Sequence, residues 1–416
     1  MTKTEAAPIL TAESLPSYLF KKKDSISILA DCQSESELSA STIAGGNVNY
    51  AFQVKGPSGI TIFVKQAPEF VAIFGPDGFP LTSERMQKEM DVYNEWKVIL
   101  KEKKEQYLPE IYMFDRMNMV VVMEFFDGFH LFDDVLVKTG EVHQAVASGL
   151  GEFMGKTHAA THSSVVSEER KEFLTKSFEN RAMRDVQLEF VFTKCYKEAT
   201  DEQRAGLILD EAFMNEVQTL KTAYDGKNLD GPESCGHVLT HGDLHPGSVM
   251  VDASKGFVKV IDPEFCVYGP PGLDVGSLLS GFVLAAVHHA HNDEKDFDKK
   301  KAVTSIKEGA VAVWESYKKA ILLNDSLSIE LVEKIGAETV GFTVAEVCRT
   351  ALGFAGGRLW LQFEDPTVKA AAIRTAMGIV QRCMTKRHQG GMEILFEELE
   401  TLSAYNSPSE KKCQIL

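Results

Sequence analysis

The feature that most constrains this chain is a change of hydrophobic period part-way along it. Up to about Phe126 apolar and polar residues alternate, and beyond Gly128 apolar residues recur every three to four positions. Asn47–Val54 puts Val48, Tyr50, Phe52 and Val54 on one face. After a Gly56-Pro57-Ser58-Gly59 turn, Ile60–Lys65 alternates again, which predicts a hairpin. Tyr112–Phe114 and Met119–Phe126 read as another strand pair around a turn at Asp115–Asn118. Between the pairs, Ile73–Pro80 reads as loop. Ser83 to Lys104 reads as a helix carrying Met86, Met90, Tyr93, Trp96 and Leu100 at helical spacing. Later, His143–His162, Glu168–Thr200, Glu202–Ala223 and the stretch from Asp274 to Glu400 are helical in pattern. A β-type run at Gly236–Thr240 and a hairpin, Val249–Val251 with Phe257–Ile261, interrupt them. The pattern predicts an α+β chain in two lobes: a small, mainly antiparallel β lobe with one long helix, then a larger, mainly helical lobe carrying a hairpin.

The expected boundaries are a lead-in at 1–38 with a short helix near Ser14–Lys22, a small lobe at 39–126, a large lobe at 127–405 and a flexible tail at 406–416. Hydrophobic residues at 44% and charged residues at 25% are ordinary for a globular protein. The net charge of −16 argues against a nucleic-acid surface, which needs a basic stripe. Seven scattered cysteines without a C-x-x-C pair suit a reducing compartment. No signal-peptide pattern opens the chain, so the cytoplasm is expected. The apolar stretch Leu278–Val287 reads as too short to cross a bilayer, so no stable membrane insertion is expected. Cys413-Gln414-Ile415-Leu416 matches a loose C-a-a-X prenylation pattern, with a chance ending the preferred reading.

The chemistry concentrates in His241-Gly242-Asp243-Leu244-His245-Pro246-Gly247-Ser248 and in Asp262-Pro263-Glu264 at the far end of the hairpin. Asp243 sits in a tight loop after a strand, where an ionised carboxylate can orient a hydroxyl and accept its proton. Asp262 and Glu264 follow a buried strand, where a hard cation such as Mg2+ would relieve the burden of two carboxylates. One carboxylate for a hydroxyl proton and others for Mg2+ on a triphosphate is the working core of kinase-type phosphoryl transfer.

Other residues fit that chemistry. Gly45-Gly46-Asn47, with Asn49 two residues on, can let backbone approach a phosphate, although no Walker A motif follows. Lys65 lies on the opposite face of its strand from Ile62 and Val64 and can reach the α- and β-phosphates of ATP. Its acidic partner is expected on the following helix, with Glu89 preferred over Glu84 and Glu95. Met123-Glu124-Phe125 joins the lobes and would hold adenine through its main chain. His241 reads as a brace of the loop, Asp274 as structural, either capping the helix it begins or bracing the loop, and the spacing of His288, His289 and His291 does not suit a metal site.

The chain thereby resembles the methylthioribose kinase family within the aminoglycoside phosphotransferase and choline kinase-like group. The matching stretches are Gly46-Asn47-Val48-Asn49-Tyr50, Val64-Lys65-Gln66-Ala67-Pro68, Phe79-Pro80-Leu81-Thr82 with Arg85, the H-G-D-L-H-x-G-S run, and D-P-E-F…Y-G-P…D-x-G over 262–276. The resemblance implies a two-lobed protein-kinase-like fold and a homodimer. It also implies ATP-dependent phosphorylation of the anomeric hydroxyl of 5-methylthioribose in methionine salvage. In it Asp243 faces the substrate as base. Gly45, Gly46, Asn47, Asn49, Lys65, Met123, Glu124 and Phe125 bind ATP, with Asp262, Pro263 and Glu264 at the metal and triphosphate. Arg349 contacts the sugar. Where the family carries an Arg-Arg pair and a later His, this chain has Arg349-Thr350 and Gly356. That departure leaves two alternatives open: a kinase of the same fold for another small hydroxylated substrate, and a nucleotide-binding pseudokinase.

Overall fold

The structure, a computed structural model, describes residues 8–44, 48–227, 234–292, 294, 297–355, 358 and 360–404. The expectations placed on Gly45, Gly46, Asn47, Gly356 and Cys413 lie outside these residues. The chain divides into two compact units, Met1–Gly128 and Phe129–Leu416.

The first unit is built on a five-stranded antiparallel sheet. Its strands are β1 (Ser39–Thr42), β2 (Tyr50–Lys55), β3 (Thr61–Gln66), β4 (Ile111–Asp115) and β5 (Val120–Glu124), in the order β1-β2-β3-β5-β4. Register puts Val64 opposite Phe52 on one side and opposite Val122 on the other, so the apolar residues of three strands share a face. That face is covered by the segment expected to be a lead-in. Leu10, Leu15, Leu19, Ile26, Leu29, Cys32 and Leu38 pack with Phe52, Val54, Ile62, Val64, Val120 and Val122 in one core. The short helix near residues 14–22 is present as Leu15–Lys21.

On the opposite side of β3 stands Lys65, whose partner comes from the long helix Arg85–Leu100. The helix buries Met86, Met90, Tyr93, Trp96 and Leu100 as their spacing predicts, and stops short of Lys104 because Lys101 turns into positive φ (+51°).

In the second unit, the Lys299–Ile321 helix packs along Gln144–Thr161, and Gly272–Ala290 along Ile329–Ala351. The Gly272–Ala290 helix has the length and apolarity to cross a membrane, unlike the shorter run read from sequence. It is 94% buried inside the protein, as the central core helix of this unit.

The helix expected over Glu168–Thr200 is broken. Asn180 takes a left-handed conformation (φ +42°) because its side-chain amide donates to the Glu264 and Cys266 carbonyls, both at 2.9 Å. A π-helical turn at Phe190–Lys194 interrupts the second half. The hairpin forms as Val249–Asp252 and Phe257–Val260, joined by His130–Leu131 as a third strand.

Buried imidazoles make this unit sensitive to acid. Burial lowers His237 to about 3 and His288 to about 4, and lowers His162 and His289 as well. An unfolded chain would protonate these rings near 6.5, so between that pH and about 4 the folded state binds fewer protons. Glu338, raised by burial to about 7, and Asp133 and Glu346, also raised by burial, run the other way, against five histidines once His245, lowered to about 3, is counted. Stability should therefore fall as pH drops from about 6.5 towards 4 and be insensitive to these histidines above that window. Urea midpoints measured at pH 7.5 and 5.0 check this; a midpoint that holds or rises at the lower pH contradicts it.

Candidate active site

The loop that carries Asp243 is held by backbone contacts that the local sequence dictates. Gly242 has φ +86°, and a Cβ there would meet the Phe265 carbonyl oxygen at 2.0 Å, so the loop closes on the 262–266 turn only with glycine. Asp274, at the start of the Gly272–Ala290 helix, accepts the His241 and Gly242 amides at 2.7 and 2.9 Å, and its Oδ2 lies 3.3 Å from His158 Nε2. His241 donates through Nε2 to the Ile261 carbonyl at 2.8 Å and accepts the Asp243 amide at Nδ1. Ser248 Oγ donates to the Asp243 carbonyl at 3.0 Å. Both His241 and Asp274 therefore brace the loop.

Two guanidiniums and an imidazole converge on the Asp243 carboxylate. His245 Nε2 lies 3.7 Å from Oδ2, while its Nδ1 accepts the Gly247 amide at 3.0 Å. Arg349 Nη2 and Arg358 Nη2 approach Oδ1 at 3.9 and 3.6 Å. Behind them Glu346 Oε2 stands 2.7 Å from Arg349 Nη2 and 3.9 Å from Arg358 Nη1. Gln187 receives Arg349 Nη1 at 3.3 Å.

Burial alone would raise Asp243, but the positive charge around it, from His245 when protonated, Arg358 and Arg349, holds it at about 2. Burial and the neighbouring Arg358 lower His245 to about 3, so its ring is neutral near pH 7. Glu346 is raised by burial against the opposing pull of both arginines. Among the described residues, Asp243 Oδ1, Glu346 Oε2, Arg349 Nε and Nη2 and Thr350 Oγ1 are buried yet make no aligned hydrogen bond. Buried polar atoms in that state are costly unless a ligand or water completes them.

Asp262 adopts a left-handed backbone (φ +60°, ψ 44°), an uncommon geometry for a non-glycine residue, and starts the short turn Pro263–Phe265. Glu264 is buried beside it. Among the described residues no three His, Cys, Asp or Glu side chains form a metal cage. Two carboxylate-bearing residues without a cage suit Mg2+ carried in on phosphates, which takes only one or two protein ligands.

In the first unit Lys65 Nζ meets Glu89 Oε2 at 2.7 Å, with the side chains 4% and 0% exposed. Glu89 is thus the helix partner, rather than Glu84 or Glu95. Asn49 is buried, and its side-chain oxygen accepts from Arg85 Nε and Nη2 at 3.1 and 2.9 Å. The same guanidinium donates to the Val48, Pro68, Leu81 and Thr82 carbonyls, tying three loops together. Met123 and Glu124 end β5, paired with Phe63 and Ile62, and Phe125 follows.

Arg358 and Glu346 were not singled out by the sequence reading. Glu346 carried a usable signal, since it precedes Arg349 by three positions on one helix and so shares its face. Arg358 lies beyond that helix and carried none.

A small β unit with a buried lysine–glutamate pair, and a helical unit with a braced acidic loop, define a kinase-like fold. The solved choline kinase from Cryptosporidium parvum Iowa II shares it, with a TM-score of 0.52 at 13% identity over 94% of this chain and 100% of that one. Residues 39–297 match the model of the phosphotransferase enzyme family (APH), and the chain belongs to that family. Over most of its length it is similar to proteins named methylthioribose kinase. That of Bacillus pumilus is 26% identical over 365 residues, 86% of this chain and 89% of the relative. Methylthioribose kinase 2 of Oryza sativa subsp. japonica is 25% identical across 87% of this chain and 88% of its own. That of Bacillus velezensis is 28% identical across 78% and 80%. The protein is a small-molecule kinase that phosphorylates a hydroxyl group.

Proposed function

We propose that the protein transfers the γ-phosphoryl group of ATP to the anomeric hydroxyl of 5-methylthioribose, giving 5-methylthioribose 1-phosphate, a step of methionine salvage. The observation that carries this reading is the Asp243 carboxylate. It is held ionised, lacks a hydrogen bond on Oδ1, and faces Arg349, whose buried Nε makes no hydrogen bond either. The methylthioribose kinases at 25–28% identity supply the sugar.

In this reading Asp243 orients the acceptor hydroxyl and takes its proton as the new P–O bond forms. Arg349, whose Nε makes no hydrogen bond and whose Nη2 is paired with Glu346, would turn its guanidinium to the sugar oxygens. Lys65, fixed by Glu89, contacts the phosphates of ATP, and the main chain at Met123-Glu124-Phe125 receives the adenine. Asp262 and Glu264 would hold Mg2+, which supplies charge neutralisation on the triphosphate when bound. A cytoplasmic enzyme working as a homodimer accompanies this assignment.

A second reading, a same-fold kinase for another small hydroxylated compound, rests on Thr350, whose buried Oγ1 makes no hydrogen bond where a second arginine was expected. ADP release from Mg2+-ATP in the presence of methylthioribose, ribose, choline or an aminoglycoside separates the two. Turnover with methylthioribose supports the first reading, and turnover only with another acceptor supports the second. Arg349→Ala should raise KM for the sugar about tenfold or more, consistent with loss of charge-assisted hydrogen bonds; an unchanged kcat/KM would remove Arg349 from the acceptor site.

A further inference from the structure

The two guanidiniums beside Asp243 come from different places: Arg349 from the last turn of the Ile329–Ala351 helix, and Arg358 from the segment after it. They share the same two anionic oxygens, Asp243 Oδ1 and Glu346 Oε2. Neither closes on Asp243, since 3.9 and 3.6 Å exceed charge-assisted hydrogen-bond length. Arg358 also faces Asp133, whose Oδ2 would touch a Cβ placed on Gly247 of the same loop. Its side chain is 16% exposed, so it is enclosed but still reachable from solvent.

We propose that Arg358 is the second transfer-site cation of this kinase, acting with Arg349 on the phosphoryl group as it passes to the acceptor hydroxyl, and that Glu346 is the counter-ion that positions both guanidiniums in the resting enzyme. The proposal rests on the kinase reading above. In the step, the bond between the γ-phosphorus and the β,γ-bridging oxygen breaks and its electron pair leaves with ADP. The bond from the acceptor oxygen to phosphorus forms, and the hydroxyl proton moves to Asp243. Negative charge is then spread over the transferred group's oxygens at the point where Asp243 sits, and a lone guanidinium there would share it with Asp243 itself. Glu346 keeps the two like charges of Arg349 and Arg358 from repelling each other before substrate arrives. Glu346 is a positioning residue; Arg358 is the group that touches the transferred oxygens.

The test compares wild type, Arg358→Ala, Arg358→Lys and Glu346→Gln in steady-state assays. The acceptor is methylthioribose or whichever panel member the wild type turns over, and ATP binding serves as the check of folding. Arg358→Ala should lower kcat about a hundredfold with KM for ATP within about twofold, in the range of losing one donor to developing charge. Arg358→Lys, which keeps the charge but loses the fork, should recover about tenfold of that. Glu346→Gln should raise KM for the acceptor more than it lowers kcat. An Arg358→Ala enzyme that binds ATP and keeps wild-type kcat overturns this proposal and leaves the kinase reading intact. So does an Arg358→Lys enzyme no better than Arg358→Ala. A wild type silent on every acceptor overturns both together.

Discussion

Replacing Asp243 by Asn is expected to abolish phosphoryl transfer while ATP still binds. The substitution keeps the shape and removes both the charge and the basic oxygen, so the acceptor hydroxyl loses the group that would take its proton. General-base removal alone predicts a fall in kcat of about 10²- to 10⁴-fold. The surroundings add to it. Arg349 and Arg358 approach Asp243 Oδ1, and with an amide in its place Glu346 would remain as the carboxylate that both guanidiniums face. If Lys65 contacts ATP, it does so from the other unit, and that contact should persist. ADP release measured beside ATP affinity by calorimetry gives the result, and a mutant retaining more than about a tenth of wild-type kcat would place the base elsewhere.

Breaking the Lys65–Glu89 pair should destabilise the first unit strongly. Both side chains are enclosed and 2.7 Å apart. Lys65→Met leaves the Glu89 carboxylate in low dielectric without its cation, and a broken buried pair typically costs about 3–5 kcal/mol. Glu89→Gln takes the Glu89 charge away from the ammonium in the same way. Removing both at once should cost less than the sum, because no charge is then left behind. Denaturant midpoints of the two single mutants and the double mutant would show this coupling. Strict additivity would mean that the two charges do not depend on each other. If Lys65 contacts the phosphates of ATP, Lys65→Met should also raise KM for ATP, and the double mutant should regain stability without regaining nucleotide affinity.

The sequence made some of this architecture readable because local period and fold agree. Alternation in β3 put Lys65 across from Val64, and the helical stripe of Met86, Met90 and Tyr93 placed Glu89 beside it. The tight loop at Asp243 was legible from its place after a β-type run, whereas the Gly242 turn and the amides that Asp274 accepts appear only in the structure. What escaped was set by distant contacts. The helix break at Asn180 depends on carbonyls more than eighty residues away, so nothing in the 168–200 window marks it. Asn49 was read for its side-chain donors, and the hold that Arg85 takes on its side-chain oxygen was not foreseen. Arg358 reaches Asp243 only through the tertiary path of the chain, and no periodic pattern points there. The apolar residues of 10–38 are spaced too irregularly to reveal a packed face.

That last segment bears on where the catalytic module is cut. The family match starts at residue 39, the first residue of β1, whereas the hydrophobic covering of the sheet begins at Leu10. A shortened recombinant version trimmed to the match would strip the sheet of its lid, baring Phe52, Val54, Ile62 and Val64 to solvent. Such a fragment would aggregate on expression, and an inactive preparation of it would say nothing about the chemistry of the intact enzyme.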